Sequence, residues 1–199
     1  DVFQHRWIKP GLNILLTKYN SPFFYDFVLP YGKLREFRSG YKRSDIILVT
    51  KCPDNMDNLE KKVFSEKIKL KKNQKIFFST ISYNKLIFNK KKSRNLNDLK
   101  NCDFILLTGI ADNEELLIYL RNFNFKLIEF IDHHDFTNAD IKKIKDSANG
   151  KIILTTEKDY VRIVDKINYD LLYYLPIEMK FLGNEGTLFN NEIEEYLKE

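Results

Sequence analysis

Lys126-Leu-Ile-Glu-Phe-Ile131, Asp132-His-His-Asp-Phe-Thr137 and Asn138-Ala-Asp-Ile-Lys-Lys-Ile-Lys-Asp-Ser-Ala148 run on from one another and decide the fold. The first piece is largely apolar and reads as a buried strand. The third sets Ala139, Ile141, Ile144 and Ala148 at helical spacing and reads as a helix. Thr137 stands at its N-cap, with Asp140 three residues on as a short-armed capping-box partner. The polar cluster between them therefore falls at the carboxyl end of a strand, where open α/β sheets place their ligand sites.

Working outward, the same alternation repeats. Cys102–Thr108 reads as a strand, Gly109–Asp112 as a tight loop and Asn113–Phe123 as a helix. Lys151–Thr155 is a further strand that runs into Thr156–Asp159, and Asp170–Leu175 is one more. Strands alternating with helices imply a parallel sheet. Its polar strand ends, Thr108–Asp112, Asp132–Asp135 and Thr155–Asp159, then share one edge.

Upstream, Leu12–Leu16 reads as a strand entered through Pro10-Gly11, and Ser44–Lys51 as a central strand stopped by Pro53. Asp57–Lys72 reads as an amphipathic helix. Lys75–Ile81 and Lys85–Phe88 read as a hairpin or linker ribbon around Ser82-Tyr83-Asn84, Asn89–Asn97 as an exposed loop, and Asn190–Glu199 as an acidic amphipathic helix. The expected architecture is α/β: a core over residues 1–72, a ribbon over 73–97 and a smaller Rossmann-like lobe over 98–199.

With 199 residues the chain is long enough to bury a sizeable core. It has no apolar run of membrane-spanning length and no signal peptide. It does not begin with Met, and Asp1 opens a dense polar-aromatic run as if cut inside a motif, so it reads as the carboxyl-terminal part of a longer protein. Cys52 and Cys102 have no metal-ligand spacing and read as reduced thiols. The net charge of +5 admits an anionic partner, but a chain-wide richness in Lys, Asn and Ile accounts for it equally well. No nucleic-acid-binding module is present, and no nucleic-acid partner is expected.

Three stretches carry candidate chemistry. An aspartate beside a histidine, as in Asp132-His133, orients an imidazole and suits it to base work; alternatively Asp132 caps backbone amides and His133 and His134 fill a polar loop. In Asp1-Val-Phe-Gln4-His5-Arg6, Asp1 suits magnesium and Arg6 a phosphate, or the group is a surface ion-pair cluster. Leu29–Glu36 ends in Arg35-Glu36, a polar site or an ion pair. Lys51 places a cation at a strand end. No G-x-x-x-x-G-K-(S/T) phosphate loop occurs.

Taken in order, these stretches resemble tetraacyldisaccharide 4'-kinase, the lipid A 4'-kinase family of Gram-negative bacteria. Asp1–Arg6 resembles its Asp-Asp-x-(Phe/Leu)-Gln-His-Arg segment, and Leu29–Glu36 its L-P-x-G-x-L-R-E. Asp45–Lys51 is similar to its D-x-I-(I/L)-V-T-K, and Thr108–Ala111 to its T-G-I-A. Phe130–Phe136 matches F-x-D-H-H-x-(F/Y), and Thr155–Arg162 matches T-T-E-K-D-x-V-R. Any one is weak; six in family order are specific.

The resemblance implies a P-loop-NTPase-like kinase that moves the γ-phosphate of ATP, with Mg2+, onto the 4'-hydroxyl of tetraacyldisaccharide 1-phosphate. The work is expected of a monomer at the cytoplasmic face of the inner membrane. The Walker A loop and a catalytic Asp would lie upstream of this chain, so the fragment alone is expected to be inactive. By resemblance Asp1 joins the magnesium and phosphate site with Glu36, Arg35 stands beside it, and Lys51 marks the end of a core strand. His133 matches the family histidine that works with the missing Asp, Asp132 orients it, and Gln4, His5 and Arg6 line the site. Glu157, Lys158 and Asp159 match a signature without an assigned role, or form an Asp-capped turn.

Two other classes compete. A metal-dependent phosphoesterase of the Asp-His-His kind needs further strand-end aspartates and a later His motif, which are absent here. The third is a non-catalytic Rossmann-like binding module.

Overall fold

The computed structural model describes residue 5 and residues 7–198. In chain order the elements begin with β1 (Ile14–Lys18), β2 (Ile46–Thr50), α1 (Asn58–Ile68), β3 (Lys75–Tyr83), β4 (Leu86–Phe88) and β5 (Ser93–Asn95). They continue with β6 (Phe104–Thr108), α2 (Glu114–Tyr119), β7 (Phe125–Glu129), α3 (Asn138–Ala148) and β8 (Ile153–Thr156). The last are α4 (Glu157–Ile167), β9 (Leu172–Leu175), β10 (Ile177–Phe181) and α5 (Glu185–Lys198). The chain packs as two compact units, Asp1–Ser82 with Met179–Glu199, and Tyr83–Glu178.

The first unit is built on a sheet of order β1-β2-β3-β10, in which β1, β2 and β3 run parallel. β2 is the apolar run Ile46-Ile-Leu-Val49, all four residues buried because strands flank it on both sides. α1 starts where Asp57 accepts from the Glu60 amide and Glu60 returns a bond to the Asp57 amide, a full capping box worth about 1 kcal/mol. It packs Phe64 and Ile68 against Ile47, Val49 and Phe78. The carboxyl-terminal segment, expected in the later lobe, belongs here. Glu185 at the start of α5 pairs with Lys61 at 2.5 Å and accepts from the Phe78 amide, while Phe189 packs on Phe77.

The second unit has a sheet of order β5-β4-β9-β8-β6-β7. β7, β6, β8 and β9 are parallel, and β4 joins them antiparallel at Phe88–Tyr174. β3 and β4 therefore do not form the expected hairpin: they enter different sheets. The stretch expected as an exposed loop supplies β5, which pairs with β4. Two apolar layers cover the faces of this sheet. Ile141, Ile144, Ile163 and Ile167 of α3 and α4 pack with Ile105 and Ile153 on one, and Leu99, Leu116 and Leu120 pack with Phe104 and Leu154 on the other. Each such aliphatic side chain contributes about 1.5–3 kcal/mol on burial.

α3 is where the sequence puts it, with Thr137 and Asp140 making the reciprocal cap. α4 adds to the expected elements. Thr156 caps it by accepting from the Asp159 amide, so Glu157-Lys158-Asp159 forms the first helical turn rather than a loop. Cys52 and Cys102 are both free thiols, and burial pushes the Cys52 thiol up to about 11. Among the described residues no helix is long and apolar enough to cross a membrane.

Candidate active site

β6 lies between β7 and β8, parallel to both, so the loops after these three strands gather at one edge of the second sheet. Hydrogen bonds stitch them together. Asp159, fully buried, accepts from the Gly109 amide at 2.8 Å and from the Thr156 hydroxyl at 2.8 Å. Its other oxygen lies 3.6 Å from Arg162 Nη1. Glycine is required at 109, since a Cβ there would stand 2.9 Å from the same carboxylate. Thr155 donates to the Leu107 carbonyl at 2.8 Å and closes the base of the edge.

The Asp-His-His loop turns over Ile131–His134, with the His134 amide donating to the Ile131 carbonyl at 3.1 Å. His133 takes a left-handed backbone, φ 60°. Histidine tolerates that region better than most residues, yet it marks a constrained position. Asp132 Oδ1 accepts from the His133 amide at 3.0 Å and from Lys158 Nζ at 2.5 Å. Its Oδ2 faces His133 Nε2 at 3.5 Å, a charge contact longer than a formed hydrogen bond. The Lys158 bond holds the Asp132 carboxyl below the usual carboxylate range, with help from the neighbouring His133. The His133 side chain is 80% exposed and stands open to a ligand. Asp132 thus caps a backbone amide, as one sequence reading has it, while its second oxygen faces the His133 ring.

His134 is placed quite differently. Its ring stacks on Phe130 at 4.6 Å and meets Asp140 Oδ2 at 3.0 Å through Nε2. Asp140 also accepts from the Thr137 hydroxyl and amide; these bonds and His134 draw its carboxyl down to about 2. Arg162 donates to the His134 carbonyl and lies over the Phe136 ring at 5.6 Å. Lys166 holds Asp135 at 2.7 Å. One histidine is locked into the scaffold and the other is presented by it.

Asp132, His133, Lys158 and Asp159 are thus brought together within the second unit, with Glu157 exposed on the first turn of α4. In the first unit, Lys51 follows β2 with φ 59°. Arg35 and Glu36 line a cavity of about 190 Å3 together with Leu15, Phe23, Leu34 and Arg38. Both Glu36 oxygens receive Arg43 Nη2, at 2.6 and 2.8 Å, so a metal ion would have to displace a guanidinium. His5 is exposed, while Asp1, Gln4 and Arg6 lie outside the described residues. Among the described residues no three His, Cys, Asp or Glu side chains group as metal ligands. The magnesium site expected of Asp1 with Glu36 has only Glu36 among the described residues.

Sequence reasoning misses Arg162 and Lys166 as supports of the loop. The signal is there: Tyr160, Ile163, Val164 and Ile167 recur at helical spacing behind a Thr156–Asp159 cap, which puts residues 158, 162 and 166 on one helix face.

The fold and its polar edge define an α/β protein whose parallel strands present their polar loops at one edge. Its structure is similar to that of LpxK from Aquifex aeolicus, with a TM-score of 0.63 and 24% identity, covering 100% of this chain and 55% of that one. The family model for tetraacyldisaccharide-1-P 4'-kinase matches residues 1–198, and the chain belongs to that family. Tetraacyldisaccharide 4'-kinases of Flavobacterium psychrophilum and Flavobacterium johnsoniae are 43% and 42% identical to it over its whole length. That of Phocaeicola vulgatus is 38% identical. The chain spans 58% of the length of each of these relatives.

Proposed function

We propose that a protein carrying this chain transfers the γ-phosphate of ATP to the 4'-hydroxyl of tetraacyldisaccharide 1-phosphate, acting as a monomer at the cytoplasmic face of the inner membrane. The observation that carries the reading is the family match along the whole chain, 43% identity to a curated kinase included. The Aquifex aeolicus neighbour is a complex with ATP, which supports ATP as the donor. The His133 ring, 80% exposed beside the Asp132 carboxylate that Lys158 holds, is open to an acceptor hydroxyl.

ATP supplies the transferred phosphoryl group. His133 takes the proton of the acceptor hydroxyl at its imidazole, and Asp132 opposes the positive charge that the ring then carries. His134, with Asp140 and Arg162, keeps the loop in place. Magnesium belongs to the proposal through Asp1 and Glu36, with Arg35 beside them and Gln4, His5 and Arg6 lining the site; no step is routed through it.

The test is transfer of radiolabelled γ-phosphate from ATP to tetraacyldisaccharide 1-phosphate by the full-length protein, wild type against His133→Ala. Labelled product with a loss of roughly a hundredfold or more in the variant supports the reading. No product from a folded, ATP-binding wild type overturns it in favour of a binding module. Product unaffected by the substitution keeps the kinase and returns the Asp-His-His loop to structure.

A further inference from the structure

We infer that Lys158 is a positioning residue for His133, acting through the Asp132 carboxylate. The inference rests on the role of His133 in phosphoryl transfer and goes beyond it, because neither that role nor the family match explains the Thr155–Arg162 signature.

Lys158 sits in the first turn of α4, where the exposed amides already make the environment positive and a lysine is disfavoured. Its placement is balanced by one contact, the 2.5 Å bond to Asp132 Oδ1. The ammonium comes from a rigid base. Asp159, the next residue, is buried and bound to the Gly109 amide, and Arg162, one turn on, reaches the His134 carbonyl. The start of α4 is therefore tied to the loop after β6 and to the far side of the Asp-His-His turn. Lys158 is the arm that reaches the carboxylate itself.

Its effect on His133 follows from how the carboxylate is shared. Oδ1 takes Lys158 and the His133 amide, fixing the left-handed turn, and this leaves Oδ2 turned to the imidazole. Lys158 also offsets part of the charge that Asp132 would otherwise direct wholly at the ring. The next carboxylates on the loop have partners of their own, Asp135 in Lys166 and Asp140 in Thr137 and His134. Without Lys158 the carboxylate is held through the His133 amide alone, and His133 loses part of its orientation and its balance of charge. The pair is partly exposed, at 43% and 31%, and thermal unfolding is measured beside the rate. A loss of rate is therefore separable from a loss of fold.

Lys158→Met and Lys158→Arg in the full-length protein decide the matter, with kcat and the KM for ATP measured separately and thermal unfolding as a control. The same substitutions in the full-length protein are also read by the imidazole 15N shifts of His133 at pH 7. The expected result is a fall of roughly ten- to a hundredfold in kcat for Lys158→Met, with KM for ATP held and most of the rate restored by Lys158→Arg. The His133 shifts move in Lys158→Met and return in Lys158→Arg. A loss confined to KM makes Lys158 a phosphate ligand and overturns the inference. Unchanged kcat overturns it too. If the wild type transfers no phosphate, the kinase reading fails by itself, and the His133 shifts still decide: moved, Lys158 positions the ring; unmoved, it does not.

Discussion

β1 and β6 read alike in the sequence, as short apolar runs, yet they end in different surroundings. β6 has a parallel partner on each side and all five of its residues are buried. β1 has one hydrogen-bonded neighbour among the described strands, and Leu16 in its middle is 62% exposed. The difference teaches that an apolar run specifies a strand, while its place in the sheet specifies how much stability each side chain adds. It also bears on function. The loops at the β6 edge are held by buried polar bonds such as Asp159 to Gly109, whereas the Arg35-Glu36 segment is held by the partly exposed pair of Glu36 with Arg43.

The sharpest way to break the comparison is to truncate both strands. Phe104→Ala in β6, where the ring is 1% exposed, is expected to cost about 3–5 kcal/mol, and Leu16→Ala in β1 under about 1 kcal/mol. Urea unfolding of each variant measures both, and equal losses would show β1 to be as buried as β6. Next in size is Asp159→Ala, which leaves the buried Gly109 amide unpaired and removes the carboxylate that faces Arg162 Nη1. Because Arg162 is a quarter exposed, about 2–3 kcal/mol is expected, short of the full cost of breaking a buried pair. In the first unit, removal of the exposed Arg43–Glu36 pair by Arg43→Met is expected to change stability by less than about 1 kcal/mol.

Thr137→Ala, which removes the cap of α3, should cost about 1 kcal/mol by the same measurement. The smallest effect is one of acidity. Asp140 is held at about 2, below its ordinary value of 3.8, so the folded state favours its charged form. Its contribution is complete above pH 4 and is lost as pH falls through the folded value. Thermal midpoints taken from pH 5 to pH 2 should show a decline that is shallower in Asp140→Asn than in wild type.

Much of the candidate site is legible in the sequence. Phe130–Thr137 reads as a strand-to-helix loop because apolar periodicity changes across it, and Thr137 with Asp140 announces the helix start. The three polar strand ends fall on one edge because parallel strands share their carboxyl ends. Of the two readings, hairpin or linker ribbon, the hairpin does not form, because Lys75–Ile81 and Lys85–Phe88 carry the same strand-like signal, which says nothing about which sheet each joins. α4 escapes a reading of the sequence because its first turn, Glu157-Lys158-Asp159, is polar enough to pass for a loop.

The succession from β6 to α3, the cap of α3 and the grouping of Asp132 with His133 were determined by the sequence alone. They depend on neighbours a few residues apart, and local propensity and hydrogen bonding act at that range. Tertiary structure decided the rest. It separated β3 from β4, returned α5 to the first unit, buried Asp159 beneath Gly109 and set Lys158 on Asp132. It also gave the two adjacent histidines opposite fates, one stacked on Phe130 and one open to solvent. Those outcomes join residues tens of positions apart, and what fixes them is the burial of apolar faces, which brings distant polar groups within bonding distance only when the whole unit has packed.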